Sequence, residues 1–368
     1  MIGYKVGGEF FYNKYLALYN CWKNNQPVEF LCNDHEYDKL DWSREPDQSF
    51  EDLMTAHAVY LRNKFERLIL GWSGGSDSHT IYNIFKKNNI HIDEIIIKTS
   101  EDLDYQPKHH ALWMRKNHYD ASTIITEYDQ YDDFYRLIDR PNEEWIWSNS
   151  GDICHAGVNT GGAHTKFQLE KNHGGKNYIF ITGYEKPQLR YLDKKWWCSI
   201  ADRTIYHVIG HNYNIEYFYL QPLIHLKQCF LLKNFVKKYA LENKKILNDN
   251  TLHWPIIDYD YNNAIKALGR TELTHGVSKL QKAAFQNQMS IDFSQQTTYK
   301  FLTNHKEDIL KGTLSSGNKA SLNYFKGLFN LYHEKKFVAF LNEKYVKSAQ
   351  HKLLNLHNIH SKWYNLGA

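Results

Sequence analysis

Four short apolar runs, each rich in β-branched residues, place the strongest constraint on the fold of this 368-residue chain. They are RLILGW (67–72), DEIIIKTS (93–100), ASTIITEY (121–128) and NYIFITGY (177–184). Near-continuous apolar runs of this length are typical of strands buried on both faces of a parallel sheet. Segments with helical spacing lie between them, SHTIYNIFKKNN after the first run and PKHHALWMRKNHY after the second. This alternation predicts an α/β fold with a doubly wound, mainly parallel sheet.

We expect three regions along the chain. Residues 1–65 form an N-terminal lead-in segment that ends in a helix, 66–230 form the α/β domain, and 231–368 form a helical C-terminal region. Ser49 is the predicted N-cap of the lead-in helix because Asp52 follows it at nearly the spacing of a capping box. The predicted apolar face of that helix contains Leu53, Ala56, Tyr60 and Phe65.

The last part of the α/β domain and the C-terminal region have weaker patterns. The aromatic stretch QLRYLDKKWWCSIADRTIYHVI (188–209) is expected to be irregular, and a turn at Pro222 is expected to lead into a helix. Two rows of apolar residues follow at helical spacing, Leu231, Phe235 and Tyr239 in one and Leu232, Val236 and Ala240 in the other. From about residue 262 onward we expect mostly helix, to the final HNIHSKWYNLGA (357–368).

The composition argues against several classes of protein. No C-x-x-C motif occurs among the five cysteines, so zinc ribbons and iron–sulfur clusters have little support; the cysteines are Cys21, Cys32, Cys154, Cys198 and Cys229. Their scatter suits a reducing compartment. No run of about 18 apolar residues is present, so we expect no membrane span and a cytoplasmic protein. The net charge of +4 is too small to indicate nucleic acid by itself, although the C-terminal third is basic.

The loop after the first apolar run has the features of an anion site. Its members are Ser73, Gly74, Gly75, Ser76, Asp77 and Ser78. Ligands bind at the carboxyl ends of strands in open α/β sheets, and a helix N-terminus offers free N–H groups to an anion. The two glycines permit close backbone approach, the three serines add hydroxyl donors, and Mg²⁺ would explain the carboxylate. No lysine follows as an ordinary P-loop requires, and a capped turn without a ligand is the alternative.

This loop resembles the PP-loop signature S-G-G-x-D-S of the ATP pyrophosphatase superfamily (N-type), and all five specified positions match. The resemblance implies an adenine-nucleotide-alpha-hydrolase-like sheet, ATP and Mg²⁺ as cofactors, and a catalytic and metal-binding role for Asp77. Members of this superfamily transfer AMP to a carbonyl or carboxyl oxygen and release pyrophosphate, after which ammonia, an amine or sulfur displaces AMP. A phosphate cradle would stabilise the charge that develops on the leaving pyrophosphate.

Three further segments extend the resemblance. IFITGYEKPQLR (179–190) resembles the fourth-strand region of asparagine-synthetase-like members, which implies that Gly183 faces the phosphates and Glu185 binds Mg²⁺. PLIHLKQ (222–228) resembles the segment that carries a phosphate-contacting lysine, here Lys227, with Lys186 as the competitor for that catalytic role. The alternatives are an ordinary ion pair for Glu185 and solvated charges for the lysines. The backbone of Ile97, Lys98 and Thr99 is expected to meet the adenine.

The remaining residues narrow the expected reaction. Ile2 stands where a class II glutaminase needs a cysteine, so we expect no glutamine hydrolysis within this chain. Thiolating members use paired cysteines and nitrile-forming members use a cysteine zinc site, and we expect neither here. Sulfonucleotide reductases use a C-terminal cysteine, whereas Cys229 is the last in this chain. The expected enzyme is an AMP-forming C–N ligase, asparagine-synthetase-like but without a glutaminase.

The acceptor substrate is expected to meet the polar insertion at 145–164, WIWSNSGDICHAGVNTGGAH, although a plain surface loop is the alternative. Asp152, His155 and His164 in this insertion match no strong zinc template. The acceptor is a small carboxylate or a nucleobase. A PP-loop enzyme resembling the tRNA lysidine synthetases, with basic helices that hold tRNA or DNA phosphates, is a second hypothesis. A non-catalytic nucleotide sensor is the third.

Overall fold

The computed structural model describes residues 2–11, 14–73, 75–99, 114–129, 169, 172–183, 187–202, 214–244, 246–247, 251–252, 335–344 and 359–368. The strands are β1 (Ile2–Val6), β2 (Glu9–Phe11), β3 (Val28–Cys32), β4 (Arg67–Gly71), β5 (Glu94–Thr99), β6 (Ile124–Asp129), β7 (Tyr178–Thr182), β8 (Gln188–Leu192), β9 (Lys195–Ser199), β10 (Ile215–Tyr217), β11 (Thr251–Leu252) and β12 (Tyr364–Asn365). The helices are α1 (Lys14–Asn24), α2 (Asp34–Tyr37), α3 (Phe50–Lys64), α4 (Ser76–Lys87), α5 (Pro222–Glu242) and α6 (Lys335–Lys344), with a short 3-10 helix at Phe218–Leu220.

Five parallel strands form the central sheet, in the order β10-β7-β4-β5-β6. The four apolar runs are β4, β5, β6 and β7, so the predicted parallel sheet of an α/β fold is confirmed. The chain places β5 and β6 on one side of β4 and then returns to place β7 and β10 on the other. Such a reversal opens a crevice at the carboxyl edge between β4 and β7. We call this sheet with α3 and α4 the central unit.

Helix α3 confirms the predicted cap but not the predicted apolar face. Ser49 has extended backbone angles and its side chain accepts a hydrogen bond from the Asp52 N–H. Ala56 and Tyr60 are exposed, so their place on the apolar face was wrong. The buried face of the helix shares only Leu53 with the predicted one. It consists of Phe50, Leu53, Met54, His57, Ala58 and Leu61. All of them except His57 pack with β4, α4 and β7 in one apolar core.

A three-stranded antiparallel sheet, in the order β2-β1-β3, occupies the lead-in segment that the sequence indicated only as mixed. Gly7 and Gly8 connect β1 to β2 with φ values of 55° and 96°. A positive φ at both central residues is the requirement of a tight hairpin turn, which glycine meets without strain. The Gly-Gly pair between β-forming residues was therefore a readable hairpin signal.

A second antiparallel sheet, in the order β11-β8-β9-β12, lies where irregular and helical structure was expected. The stretch 188–209 begins with the hairpin β8–β9, whose turn residues Asp193 and Lys194 both have positive φ. The end of the chain is also not helical, since Tyr364 and Asn365 pair with β9 as strand β12. A strand of two residues carries almost no local pattern, and its conformation depends on the partner strand.

These two antiparallel sheets share a core, and with α1 and α5 we call them the composite region. Tyr4, Trp42, Trp196, Cys198 and Leu366 are among the buried side chains of this core, although they come from distant parts of the sequence. Asp202 connects three segments: its carboxylate accepts hydrogen bonds from the Tyr4 hydroxyl at 2.9 Å and the Ile359 N–H at 2.9 Å and pairs with Lys14 Nζ at 2.7 Å.

Helix α5 begins at Pro222, as predicted, and contributes side chains to both cores. Leu232, Val236 and Ala240 form its buried row, while Leu231 and Phe235 are only half-buried. The boundary placed between residues 230 and 231 falls inside this continuous helix. Beyond it, α6 is helical as expected, and residues 253–334 lie outside the described residues. Among the described residues, no helix is long and apolar enough to cross a membrane.

Candidate functional site

The loop between β4 and α4 is closed by its own serine side chains. Gly75 is the N-cap of α4, in an extended conformation, and its carbonyl accepts the first helical hydrogen bond, from the His79 N–H at 3.0 Å. The buried Ser78 hydroxyl accepts from the Ser73 N–H at 3.1 Å and donates to the Gly75 carbonyl at 3.3 Å. Ser78 thereby holds the two ends of the loop together. Gly74 and the side chain of Ser76 lie outside the described residues.

Gly183 lies where the strand next to β4 meets this loop. Its predicted place facing the phosphates stays a prediction. It is the first residue after β7, and β7 is the neighbour of β4 in the sheet. A Cβ at this position would lie 3.0 Å from the Ser78 nitrogen and 3.1 Å from the Asp77 carbonyl carbon. Both atoms are backbone, so a side chain at this position would require the first turn of α4 to move by a few tenths of an ångström. The site therefore combines Gly183, Asp77 and Ser78 at the crevice between β4 and β7.

Asp77 occupies the first turn of α4, where the positive end of the helix dipole stabilises a carboxylate. Its side chain is half-buried, and its backbone carbonyl accepts a hydrogen bond from the Tyr219 hydroxyl at 2.8 Å. Tyr219 lies in the 3-10 helix after β10 and is fully buried. The sequence reasoning missed this residue, although the aromatic run YFYL before Pro222 was a visible signal. Through this hydrogen bond Tyr219 connects the segment after β10 to the first turn of α4.

The end of β5 extends past β4 beside the loop. The pairing of β4 with β5 ends at Gly71 opposite Ile96, whereas the pairing of β5 with β6 continues to Thr99 opposite Asp129. The three residues assigned to adenine contact, Ile97, Lys98 and Thr99, form this extension. The Ile97 side chain is buried in the central core, so only its backbone can meet a ligand. The side chains of Lys98 and Thr99 lie outside the described residues.

The structure describes one of the two candidate catalytic lysines. The Lys227 ammonium pairs with Glu45 Oε1 at 2.7 Å and donates to the Pro46 carbonyl at 2.9 Å, on the segment before α3. A phosphate contact by Lys227 would have to compete with this ion pair, and it stays a prediction. Lys186, Glu185 and the insertion 145–164 with its Asp152, His155 and His164 lie outside the described residues.

A second cluster of chemically capable side chains joins β9 to α5, and the sequence reasoning did not expect it. Cys198 Sγ lies 2.9 Å from Cys229 Sγ and 3.9 Å from His225 Nε2, and all three side chains are fully buried. Two free cysteines that are 31 residues apart in sequence are therefore neighbours in space. His225 and Cys229 are four residues apart, which places them on one face of a helix, and that H-x-x-x-C spacing was the available signal.

The environment of Cys198 favours its thiolate. Burial alone would raise the pKa of this thiol, but interactions with Cys229 and His225 outweigh it and lower the pKa to about 6. Burial and the neighbouring Cys198 raise the pKa of Cys229 instead.

The two sites are connected through one residue. His225 Nδ1 lies 3.3 Å from the carbonyl of Tyr219, whose hydroxyl contacts Asp77.

No protein-family model matches this chain, and no curated protein is recognisably similar to it. The candidate site is therefore defined by its geometry, and membership of the PP-loop superfamily stays a hypothesis carried by residues 73–78.

Proposed function

We propose that the chain is an ATP pyrophosphatase-type ligase that adenylates an acyl or carbonyl oxygen and lets ammonia or an amine displace AMP. In the first step the acceptor oxygen bonds to the α-phosphorus, the bond between the α-phosphorus and its bridging oxygen breaks, and pyrophosphate leaves. The observation that carries the proposal is the position of the Ser73–Ser78 loop. It lies at the carboxyl edge of the sheet, at the one crevice where the order of the described strands reverses.

The physical properties of this position support a nucleotide triphosphate as the ligand. The N-terminus of α4 offers backbone N–H groups and the positive end of a 12-residue helix dipole. Gly75 and Gly183 leave the approach to the first turn free of Cβ atoms that would block it. Phosphates held in this way would be stabilised as pyrophosphate leaves, because negative charge develops there.

Asp77 supports a metal-assisted reaction. A carboxylate beside a phosphate site repels the anion unless a cation lies between them, and Mg²⁺ is the cation that carboxylate and phosphate oxygens bind together. In the proposed reaction Asp77 would hold Mg²⁺ against the phosphates, and the ion would neutralise charge on the leaving group. The extension of β5 beyond β4 offers backbone groups of Ile97–Thr99 to the adenine.

The test is an ATP–pyrophosphate exchange assay on the full chain with pools of small carboxylates and nucleobases as acceptors. We expect Asp77→Asn to lower exchange by roughly 100-fold or more, since it removes the proposed metal ligand. Asp52→Asn is the matched control, because Asp52 is also an acid in the first turn of a helix of the central unit. It should exchange like the unaltered chain.

Two outcomes would overturn the assignment. If Asp77→Asn makes AMP and pyrophosphate at the unaltered rate, the loop does not hold the reacting phosphates. If the unaltered chain binds Mg²⁺-ATP but forms no AMP with any acceptor, tRNA and DNA included, the chain is a nucleotide sensor. A tRNA or DNA acceptor would give binding that weakens steeply with salt, whereas a small acceptor would not.

A further inference from the structure

The geometry points to a buried zinc site formed by Cys198, His225 and Cys229. The three possible ligand atoms, two sulfurs and one ring nitrogen, all lie within 4.8 Å of one another. Cys198 comes from β9, and the other two come from adjacent turns of α5. This inference does not depend on the proposed function, because it concerns different residues.

The donor set suits zinc better than a hard cation. Thiolate sulfur and imidazole nitrogen are the usual ligands of Zn²⁺, whereas Mg²⁺ and Ca²⁺ take oxygen. A tetrahedral zinc with Zn–S bonds of about 2.3 Å keeps its sulfurs roughly 3.8 Å apart. The sulfurs of Cys198 and Cys229 lie 2.9 Å apart, so each would move by about half an ångström to admit the ion. Three protein ligands leave one tetrahedral position for a further small donor.

The surroundings orient the ligands. His225 Nδ1 is directed at the Tyr219 carbonyl at 3.3 Å, which leaves Nε2 for a metal. Zinc-bound histidines usually have their second nitrogen hydrogen-bonded to a carbonyl or carboxylate in this way. The ring of Tyr37 stacks on His225 with an interplanar angle of 18°, and the Tyr37 hydroxyl donates to the Leu220 carbonyl at 2.8 Å. The imidazole is therefore held in one orientation before any metal binds.

The position of the site indicates a structural role. All three ligands are fully buried, so a substrate cannot reach the ion. Zinc would fasten the hairpin β8–β9 to α5, within the core of the composite region. Its histidine also contacts Tyr219, which holds the Asp77 carbonyl. An ion at this point would support the loop from behind without taking part in a reaction there.

Metal analysis of the full chain, purified with thiol reductant and without chelator, tests the inference. We expect about one zinc per chain, and less than about a tenth of that in Cys229→Ala, because two ligands do not retain the ion. Cys21→Ala is the matched control, since Cys21 is also a buried free cysteine of the same core but lies outside the cluster. It should keep its zinc.

A second measurement covers the case in which Cys229→Ala does not fold. The unaltered chain is stripped with chelator and titrated with Co²⁺, which should give the near-ultraviolet charge-transfer absorption of cobalt thiolates. Absence of zinc from the purified chain together with absence of that absorption would overturn the inference. A disulfide between Cys198 and Cys229, seen as a mass lower by two hydrogens in the reduced preparation, would also overturn it.

Discussion

The central unit and the composite region differ in how far along the chain their contacts reach. In the central unit, β4, β5 and β6 pair in the order in which they occur along the chain, and α4 connects β4 to β5. In the composite region, the Tyr4 hydroxyl reaches Asp202, 198 residues away, and the Tyr364 hydroxyl reaches Asp34, 330 residues away. Structure that depends on contacts between segments close in sequence can be predicted from local patterns. Structure that depends on distant pairs cannot, because no short segment of the sequence contains both partners.

Two ion pairs, one from each region, differ in their burial. The ion pair between Lys14 and Asp202 lies in the interior of the composite region, with side chains 2% and 0% exposed. The ion pair between Glu51 and Lys87 connects α3 to α4 on the surface of the central unit. A buried pair is costly to break because the remaining charge is left without compensation, while a surface pair contributes little.

The largest expected effect is that of Lys14→Met. It leaves the Asp202 carboxylate buried without its cation, which should lower the free energy of unfolding by about 3–5 kcal/mol. Denaturant unfolding measures the loss, and amide hydrogen exchange locates it. Exchange should quicken in β1 and β9 but not in β4, because the pair lies in the composite region.

Lys87→Met is the control for that change, since it removes the same charge from the exposed pair. It should alter the unfolding free energy by less than about 1 kcal/mol. An equal loss of unfolding free energy in the two variants would show that the composite region does not depend on its buried pair. It would contradict the expected difference between the buried and the exposed pair.

Gly183→Ala should have an intermediate effect, concentrated on the proposed nucleotide site. The added Cβ would press on the backbone of Asp77 and Ser78, so α4 must shift at its first turn. We expect a loss of about 1–3 kcal/mol in stability and a roughly tenfold loss of Mg²⁺-ATP affinity. Calorimetric titration with Mg²⁺-ATP measures the second effect.

Gly71→Ala separates loop distortion from general strain in the central unit. Its Cβ would meet the Phe180 ring of β7 at 2.7 Å and not the backbone of Asp77 or Ser78. This variant should lose stability but keep its nucleotide affinity. Loss of affinity in both variants, or in neither, would contradict a specific role for Gly183 at the crevice.

The smallest expected effect is that of Ser49→Ala. It removes the oxygen that accepts the Asp52 N–H at 3.1 Å, and lost caps of this kind cost about 1 kcal/mol. Thermal unfolding measures it, with Ser43→Ala as a control at an exposed turn serine outside a helix end. If the two variants are equally stable, the local cap that the sequence indicated contributes nothing to the central unit.

Sequence reasoning succeeded where one segment carries its own signal. Four apolar runs predicted four parallel strands, Ser49 with Asp52 predicted a helix start, and Pro222 predicted another. It was wrong about the face of α3, because Ala56 and Tyr60 fit an apolar stripe as well as the true arc does. The roles of Glu185, Lys186 and the insertion 145–164 stay predictions.

Sequence reasoning failed where a conformation depends on distant partners. The two residues of strand β12 are extended because they pair with β9. The hairpin turn at Asp193 and Lys194 has positive φ at both residues but lacks the Asn-Gly sequence that is common in such turns. The absence of a C-x-x-C motif gave no hint of the cluster, because the neighbours of Cys198 in space, His225 and Cys229, are 27 and 31 residues away. Spacing rules for metal sites assume that the ligands are close in sequence. They do not detect this cluster, because its residues come from a strand and a helix that are far apart in the chain.

The late position of β12 has a consequence for how the chain is made on the ribosome. Tyr364 meets Asp34 across 330 residues, which at roughly 5–20 residues per second is an interval of about 15–70 seconds. The strands of the central unit are complete once β10 has been made, whereas the core that β1, β3 and α1 share with β9 and β12 lacks its last strand until residue 364. Until then the core around Tyr4 and Phe30 lacks Tyr364 and Leu366, so we expect the yield in a cell to depend on holding chaperones and on translation speed.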